Sequence, residues 1–142
     1  MVFKDAVTAM DRTTEPIAGR VPVVAIVCSS GGRHAAGRVL SGLPATFARA
    51  VIVLQHVSPD HRSMLPEILA RPTELPVAAA CDGQPRYLAL ACGADVIAVV
   101  LSGEGSDGAT GATAAHRFGG TVIVTDEAST PHFSMPRLYH PG

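Results

Sequence analysis

The chain has 142 residues, of which 47% are hydrophobic and 16% charged, and its formal net charge at pH 7 is -1. This length and composition predict one globular domain and exclude a disordered, highly charged protein. Acidic residues balance the basic ones, so we expect no nucleic-acid partner. No apolar run approaches the roughly 20 residues that cross a bilayer, and no signal peptide opens the sequence. We therefore expect a cytoplasmic protein that does not insert into a membrane.

Cysteine and histidine residues give no sign of a disulfide framework or a zinc site. The three cysteines, Cys28, Cys81 and Cys92, are odd in number and show no C-x-x-C spacing. Cys28 ends an apolar segment and is expected to be a small core residue. His61 and His132 lie in segments without recurring ligand spacing, so solvated loop positions are expected for both.

The order of the predicted elements is typical of a parallel α/β protein. Residues 1–20 are the most charged stretch, and we expect a tail or a short leading helix there, with the main domain at 21–142. Strands are predicted at 21–27, 50–54, 75–80, 96–101 and 121–125, and helices at 32–40, 61–70 and 108–118. This alternation predicts a three-layer, doubly wound and mostly parallel sheet with helices on both faces.

Polar residues follow three of these predicted strands. Ser29 and Ser30 follow the first strand, Gln55 and His56 the second, and Asp107 lies in the glycine-rich loop after the strand at 96–101. The carboxyl ends of parallel strands meet at one edge of a sheet, where ligands and catalytic groups gather. A serine, a histidine base and an orienting carboxylate are the groups that nucleophilic acyl transfer requires. The pattern thus indicates a serine hydrolase.

Backbone N–H groups in the loops after the predicted strands at 21–27 and 96–101 are suited to form an oxyanion hole. The candidates are the amide of Ser30 and those of the turn formed by Gly103, Glu104 and Gly105.

Each of these segments also has a simpler interpretation. The serines and glycines at 29–32 are compatible with a helix cap or with a phosphate-binding loop. His56 fits an ordinary loop position, and Asp107 fits an Asx turn that caps the next helix. A dinucleotide site is disfavoured because G-x-G-x-x-G is absent, and because Gln55 and His56 stand where an acidic residue would bind the ribose.

Four motifs, in order along the chain, resemble those of the catalytic-domain family of chemotaxis receptor methylesterases (CheB). They are VCSSGG at 27–32, QH at 55–56, LSGEGSDG at 101–108 and FSMPR at 133–137. The corresponding family patterns are a strand into S-T-G-G, then Q-H, then T-G-x-G-x-D-G, and finally G-M-P. The resemblance covers residues 21–137.

The resemblance implies an α/β hydrolase that cleaves glutamate methyl esters on chemoreceptors and deamidates certain glutamines. By motif position Ser29 is the nucleophile, His56 the general base and Asp107 the residue that orients His56. The oxyanion donors fall on the backbone of Ser30 and Glu104.

Further expectations follow from the same resemblance. Supporting positions are implied at Gly31, Gly32, Gln55, Gly105 and Met135, and neither a metal nor an organic cofactor is expected. The implied partners are the cytoplasmic helices of methyl-accepting chemoreceptors, together with a separate receiver or kinase protein.

The sequence also departs from the family pattern. Several tens of residues are absent near 83–86, and the receiver domain and the closing C-terminal helix are expected to be missing. Glu104 replaces an apolar residue and Ser134 replaces a glycine. Because of the missing segment, a catalytically impaired interaction module of the same fold stays open as an alternative.

Overall fold

The computed structural model describes residues 5–9, 22–56, 63–79 and 93–139. These residues form a six-stranded sheet with helices on both faces, which confirms the predicted α/β architecture. The strands are β1 Asp5–Ala9, β2 Val23–Cys28, β3 Ala50–Gln55, β4 Val77–Ala79, β5 Val96–Val100 and β6 Thr121–Val124. The helices are α1 Gly32–Ser41, α2 Leu65–Ala70, α3 Asp107–Arg117 and α4 Ser134–Arg137, with a 3-10 helix at Gly93–Asp95.

The centre of the sheet is parallel. Its strand order is β4-β1-β3-β2-β5-β6, and β3, β2, β5 and β6 run in the same direction. Cys28 at the end of β2 is in register with Gln55 at the end of β3, and Val27 is in register with Val100 of β5. The residues that follow these three strands therefore leave the sheet side by side.

Strand β2 is buried at every position because helices cover both of its faces. Val24 and Ile26 belong to a core that includes Leu40 of α1 and Leu69 of α2. Val27 points to the opposite core, which contains α3 and α4 side chains. This two-sided burial explains why the strand is a continuous apolar run without polar alternation.

The structure corrects the prediction for the start of the chain. Residues 5–9 form β1, not a tail or a helix, and β1 runs antiparallel to β3 and to β4. The segment is short and set among charged residues, and its partners lie more than 40 positions away at residues 51–55 and 77–79. No local pattern could reveal that pairing.

Two other elements, α2 and β4, are shorter than predicted by two residues or more. Helix α2 begins at Leu65, so Pro66 lies in the first turn, where a missing backbone N–H is tolerated. Strand β4 begins at Val77, two residues later than predicted, and residue 80 of the predicted strand lies outside the described residues. In the parts of the chain that the structure describes, no helix has the length and apolar character needed to cross a membrane.

Candidate active site

A pocket lies at the carboxyl edge of the sheet, where β2, β3 and β5 end. Its walls come from the loops after these strands and from the starts of α3 and α4. The residues that line it are Val27, Cys28, Ser29, His56, Glu104, Gly105, Asp107, Gly108 and Met135. Ser29, His56 and Asp107, which the sequence predicted to meet, therefore share one pocket.

Ser29 occupies the bend between β2 and α1. Ser29 is 8% exposed. Its N–H donates to the carbonyl of Ser102 at 3.0 Å, and its carbonyl accepts the N–H of Gly32 at 2.9 Å. Gly31 turns the chain with a φ of 74°, a left-handed conformation that glycine adopts without steric cost. Gly32 has no room for a side chain, since a Cβ there would lie 2.3 Å from the Cβ of Cys28.

This geometry removes the helix-cap interpretation of the serines. The N-cap of α1 is Gly31, and no side chain caps that helix. The two serines precede the cap, so stabilising the start of α1 does not explain their presence.

His56 is the first residue after β3 and is exposed to solvent. Its backbone N–H donates to the carbonyl of Cys28 at 3.2 Å, which extends the β2–β3 pairing by one step and holds His56 beside Ser29. Gln55, the preceding residue, does not line the pocket. It is buried, and its Oε1 accepts no hydrogen bond from the described residues.

Asp107 is the first residue of α3 and is partly buried. The N-cap is Ser106, and no side chain makes a capping hydrogen bond, so the Asx-cap interpretation is wrong. Helix α3 approaches the pocket closely through Gly108, where a Cβ would lie 2.5 Å from the Sδ of Met135 and 2.8 Å from Val27. This close approach brings Asp107 to the pocket wall.

Ser29, His56 and Asp107 line the same pocket but are not joined by hydrogen bonds. Among the described residues, no hydrogen bond links Ser29, His56 and Asp107 to one another. A catalytic arrangement therefore requires side-chain rotations within the pocket, and catalytic hydrogen bonds are often long or absent when no substrate is bound.

The loop after β5 is fixed to the loop before α4 through Gly103. The N–H of Gly103 donates to the carbonyl of His132 at 2.9 Å, and its carbonyl accepts bonds from the N–H of Met135 at 3.0 Å and the Oγ of Ser134 at 3.2 Å. A Cβ at Gly103 would lie 2.8 Å from the Cβ of Ser29. The loop is thus pressed directly against the β2–α1 turn.

Several amides beside this contact are available, including those of Ser30, Gly31, Glu104 and Gly105. Within the described ranges, the N–H groups of Ser30 and Glu104 donate to neither a backbone nor a side-chain acceptor. Ser30 and Glu104 are the two positions whose amides the motif resemblance implies as oxyanion donors. The amide of Gly103, in the same turn as Glu104, already donates to the carbonyl of His132.

The remaining supporting residues have structural roles at the pocket. Gly105 has a φ of 94°, which turns the loop toward α3. Met135 is 3% exposed and fills the space between Gly103 and Gly108. Both residues line the pocket.

Sequence reasoning missed two residues that border the site. Ser102 is 1% exposed, and its Oγ donates to the carbonyl of Ser30 at 2.8 Å. The Nδ1 of His132 lies 3.5 Å from the Oε1 of Glu104. Ser102 opens the glycine-rich motif and could have been flagged from it, but nothing local pairs His132 with Glu104.

Cys28 is a core residue, as predicted. It is 1% exposed, and burial raises the pKa of its thiol from 9.0 to about 12, against a smaller opposing effect of Arg33. A thiol that stays protonated is a poor nucleophile, so the chemistry of the pocket does not rest on Cys28. Among the described residues, no group of three or more His, Cys, Asp or Glu residues is placed to hold a metal ion.

Comparison with known proteins agrees with the resemblance in the four motifs. A family model described as CheB methylesterase matches residues 24–87 and 85–139. The chain belongs to the CheB methylesterase family. The two matched pieces meet at 85–87, where the sequence predicted an internal shortening.

Relatives and a solved structure support this assignment. A protein-glutamate methylesterase/protein-glutamine glutaminase from Geobacter sulfurreducens is 28% identical over 95% of this chain and 48% of its own length. One from Myxococcus xanthus is 31% identical over 86% of this chain and 46% of its own length. The CheB methylesterase catalytic domain of Thermotoga maritima has the same fold, with a TM-score of 0.69, 22% identity, and coverage of 84% of this chain and 87% of that one.

The chain spans about half the length of the curated relatives that it matches. The alignment with the Geobacter protein extends over 180 positions, more than the 142 residues present here, so the relative has internal residues that this chain lacks. The internal shortening predicted from the sequence is confirmed.

Proposed function

We propose that this chain is a serine hydrolase that removes methyl groups from glutamate methyl esters on proteins. The observation that carries the proposal is that Ser29, His56 and Asp107 line the same pocket in a chain of the CheB methylesterase family. The relatives' names, protein-glutamate methylesterase/protein-glutamine glutaminase, supply the substrate class.

In the proposed reaction His56 takes the proton of the Ser29 hydroxyl while the Oγ forms a bond to the ester carbonyl carbon. The C–O bond to the methoxy group then breaks, and His56 returns the proton so that methanol leaves. Water, activated by His56, attacks the acyl-enzyme and releases the glutamate carboxylate and the free Ser29 hydroxyl. Asp107 orients the imidazole and stabilises its protonated form.

The developing negative charge on the carbonyl oxygen needs hydrogen-bond donors that are already in position. The amides of Ser30 and Glu104 suit this role because no described acceptor occupies them. Release of ammonia from glutamine would follow the same steps, with the amide nitrogen as the leaving group.

Chemoreceptor cytoplasmic helices are the proposed substrates, and a separate receiver or kinase protein is the proposed regulator. Both proposals rest on the motif resemblance and place the chain in the cytoplasm.

A serine-directed fluorophosphonate tests the proposal, because it forms a covalent bond only with an activated serine. We expect the wild-type chain to be labelled at Ser29 and to release methanol from a peptide containing glutamate methyl ester. Ser29→Ala should abolish both, whereas Ser41→Ala, which changes an exposed serine at the end of α1, should retain both. Equal labelling of wild type and Ser29→Ala would overturn the assignment.

A non-catalytic binding module of the same fold is the second candidate. It is favoured by the missing internal segment and by the lack of hydrogen bonds among the three pocket side chains in the described structure. A wild-type chain that is folded but unlabelled, and that releases no methanol, would support this alternative.

A further inference from the structure

Glu104 presents a problem for the proposed reaction. Its backbone N–H is a proposed oxyanion donor, yet the same residue carries a carboxylate, and it lines the pocket. Negative charge close to a developing oxyanion raises the energy of the transition state.

His132 is the residue that meets this carboxylate. Its Nδ1 is 3.5 Å from the Oε1 of Glu104, with the two side chains 40% and 69% exposed. The carbonyl of His132 accepts the N–H of Gly103, the residue before Glu104. The backbone bond therefore fixes the histidine beside the loop that carries the acid.

The imidazole of His132 also lies close to the other oxyanion loop. A Cβ at Gly31 would lie 3.3 Å from the Cδ2 of His132, so the ring stands beside the residue that follows Ser30. His132 thus bridges the two loops whose amides, those of Ser30 and Glu104, are the proposed oxyanion donors.

We propose that His132 is a positioning residue that holds the Glu104 carboxylate away from the oxyanion. This inference rests on the proposed function. The oxyanion exists only along the reaction path, so releasing the carboxylate would weaken transition-state binding and lower kcat with little change in KM.

A double-mutant cycle isolates this role from a merely structural one. His132→Ala removes the ring but keeps the carbonyl that binds Gly103, and we expect kcat to fall about two- to five-fold, the range for a weak, solvent-exposed contact. Glu104→Gln removes the opposing charge and should raise kcat. In the Glu104→Gln background, His132→Ala should then have no further effect on kcat.

His116→Ala is the matched control. This exposed histidine is in the last turn of α3, nine residues from Asp107, or about 14 Å along the helix axis. Its removal should leave kcat and KM as in the wild type.

A spectroscopic measurement tests the contact without catalysis. In nitrogen-detected NMR of the imidazoles, the Nδ1 signal of His132 should shift in Glu104→Gln, while the signals of His116 should not. An unchanged Nδ1 signal would overturn the inference.

The kinetic outcomes separate this inference from the proposed function. If His132→Ala lowers kcat equally in both backgrounds, or in neither, the inference is overturned while Ser29-dependent hydrolysis stands. If hydrolysis does not depend on Ser29, the proposed function fails, and the inference fails with it.

Discussion

The N–H of Ser29 donates to the carbonyl of Ser102 at 3.0 Å, and the hydroxyl of Ser102 donates to the carbonyl of Ser30 at 2.8 Å. Ser102, a buried residue two positions after β5, therefore binds two peptide units of the turn that carries the proposed nucleophile. The spacing between this turn and the loop at 103–106 is set by the parallel pairing of β2 and β5.

Asp107→Asn should lower kcat by about four orders of magnitude if Asp107 orients His56, because an asparagine favours the wrong imidazole tautomer, as in serine proteases. Methanol release from a glutamate methyl ester peptide is the measurement. Asp126→Asn is the control, since Asp126 is exposed and hydrogen-bonds with Ser129 in a loop after β6. If kcat falls only a few-fold, Asp107 has a structural role at the start of α3 and does not orient His56.

Gly103→Ala should displace the β2–α1 turn. The added methyl group would lie 2.8 Å from both the Cβ of Ser29 and the Cε of Met135. We expect a loss of about 1–3 kcal/mol in the free energy of unfolding and much slower labelling of Ser29.

Gly111→Ala is the matched control for Gly103→Ala. Gly111 lies within α3, and a Cβ there meets nothing within 4 Å, so alanine should stabilise the chain by about 0.5–1 kcal/mol. Urea denaturation measures both variants. The packing argument would be contradicted if the two substitutions shifted stability in the same direction.

Met135→Ala should destabilise the chain by about 2–5 kcal/mol. Its side chain is 3% exposed and packs against Gly103, Gly108 and the core on the α3 side, so truncation leaves a cavity. Met64→Ala, at a side chain that is 55% exposed, should change stability by about 0.5 kcal/mol at most. Thermal or urea unfolding distinguishes them, and equal effects would show that Met135 is not a core residue.

The buried thiol of Cys28 makes stability depend on pH in the alkaline range. Its pKa is raised from 9.0 to about 12 in the folded chain, so the folded state keeps a proton that the unfolded state loses. The contribution of this thiol to the free energy of unfolding is fully present below about pH 9. It is lost as the pH rises toward 12, with a slope of at most about 1.4 kcal/mol per pH unit.

Urea unfolding of the wild type and Cys28→Ala between pH 8 and pH 11 measures this contribution. The difference between the two free energies of unfolding should shrink as the pH rises, since other titrating groups are common to both chains. A constant difference would indicate that the thiolate is accommodated in the folded state.

Much of this architecture could be predicted from the sequence. The apolar runs before Ser29 and His56 have the length and β-branched content of buried strands, and the glycines at 103 and 105 mark the loop that leads to Asp107. These signals are local, because strand burial, helix periodicity and tight turns each impose a pattern on consecutive residues. The positions of the polar residues at the strand ends follow directly from those patterns.

Distant pairing escaped prediction. Strand β1 hydrogen-bonds with residues 51–55 and 77–79, and Ser102 binds residues more than 70 positions earlier in the chain.

The sequence by itself determined the α/β class and which polar residues follow the parallel strands, because those properties are written in short periodic segments. Only the tertiary structure decided that Ser29 and Asp107 do not serve as helix caps and that His132 lies against Glu104. The physical reason is that a hydrogen bond or charge pair between loops depends on how strands align across the sheet, and the register of β2, β3 and β5 is fixed by packing on both faces at once.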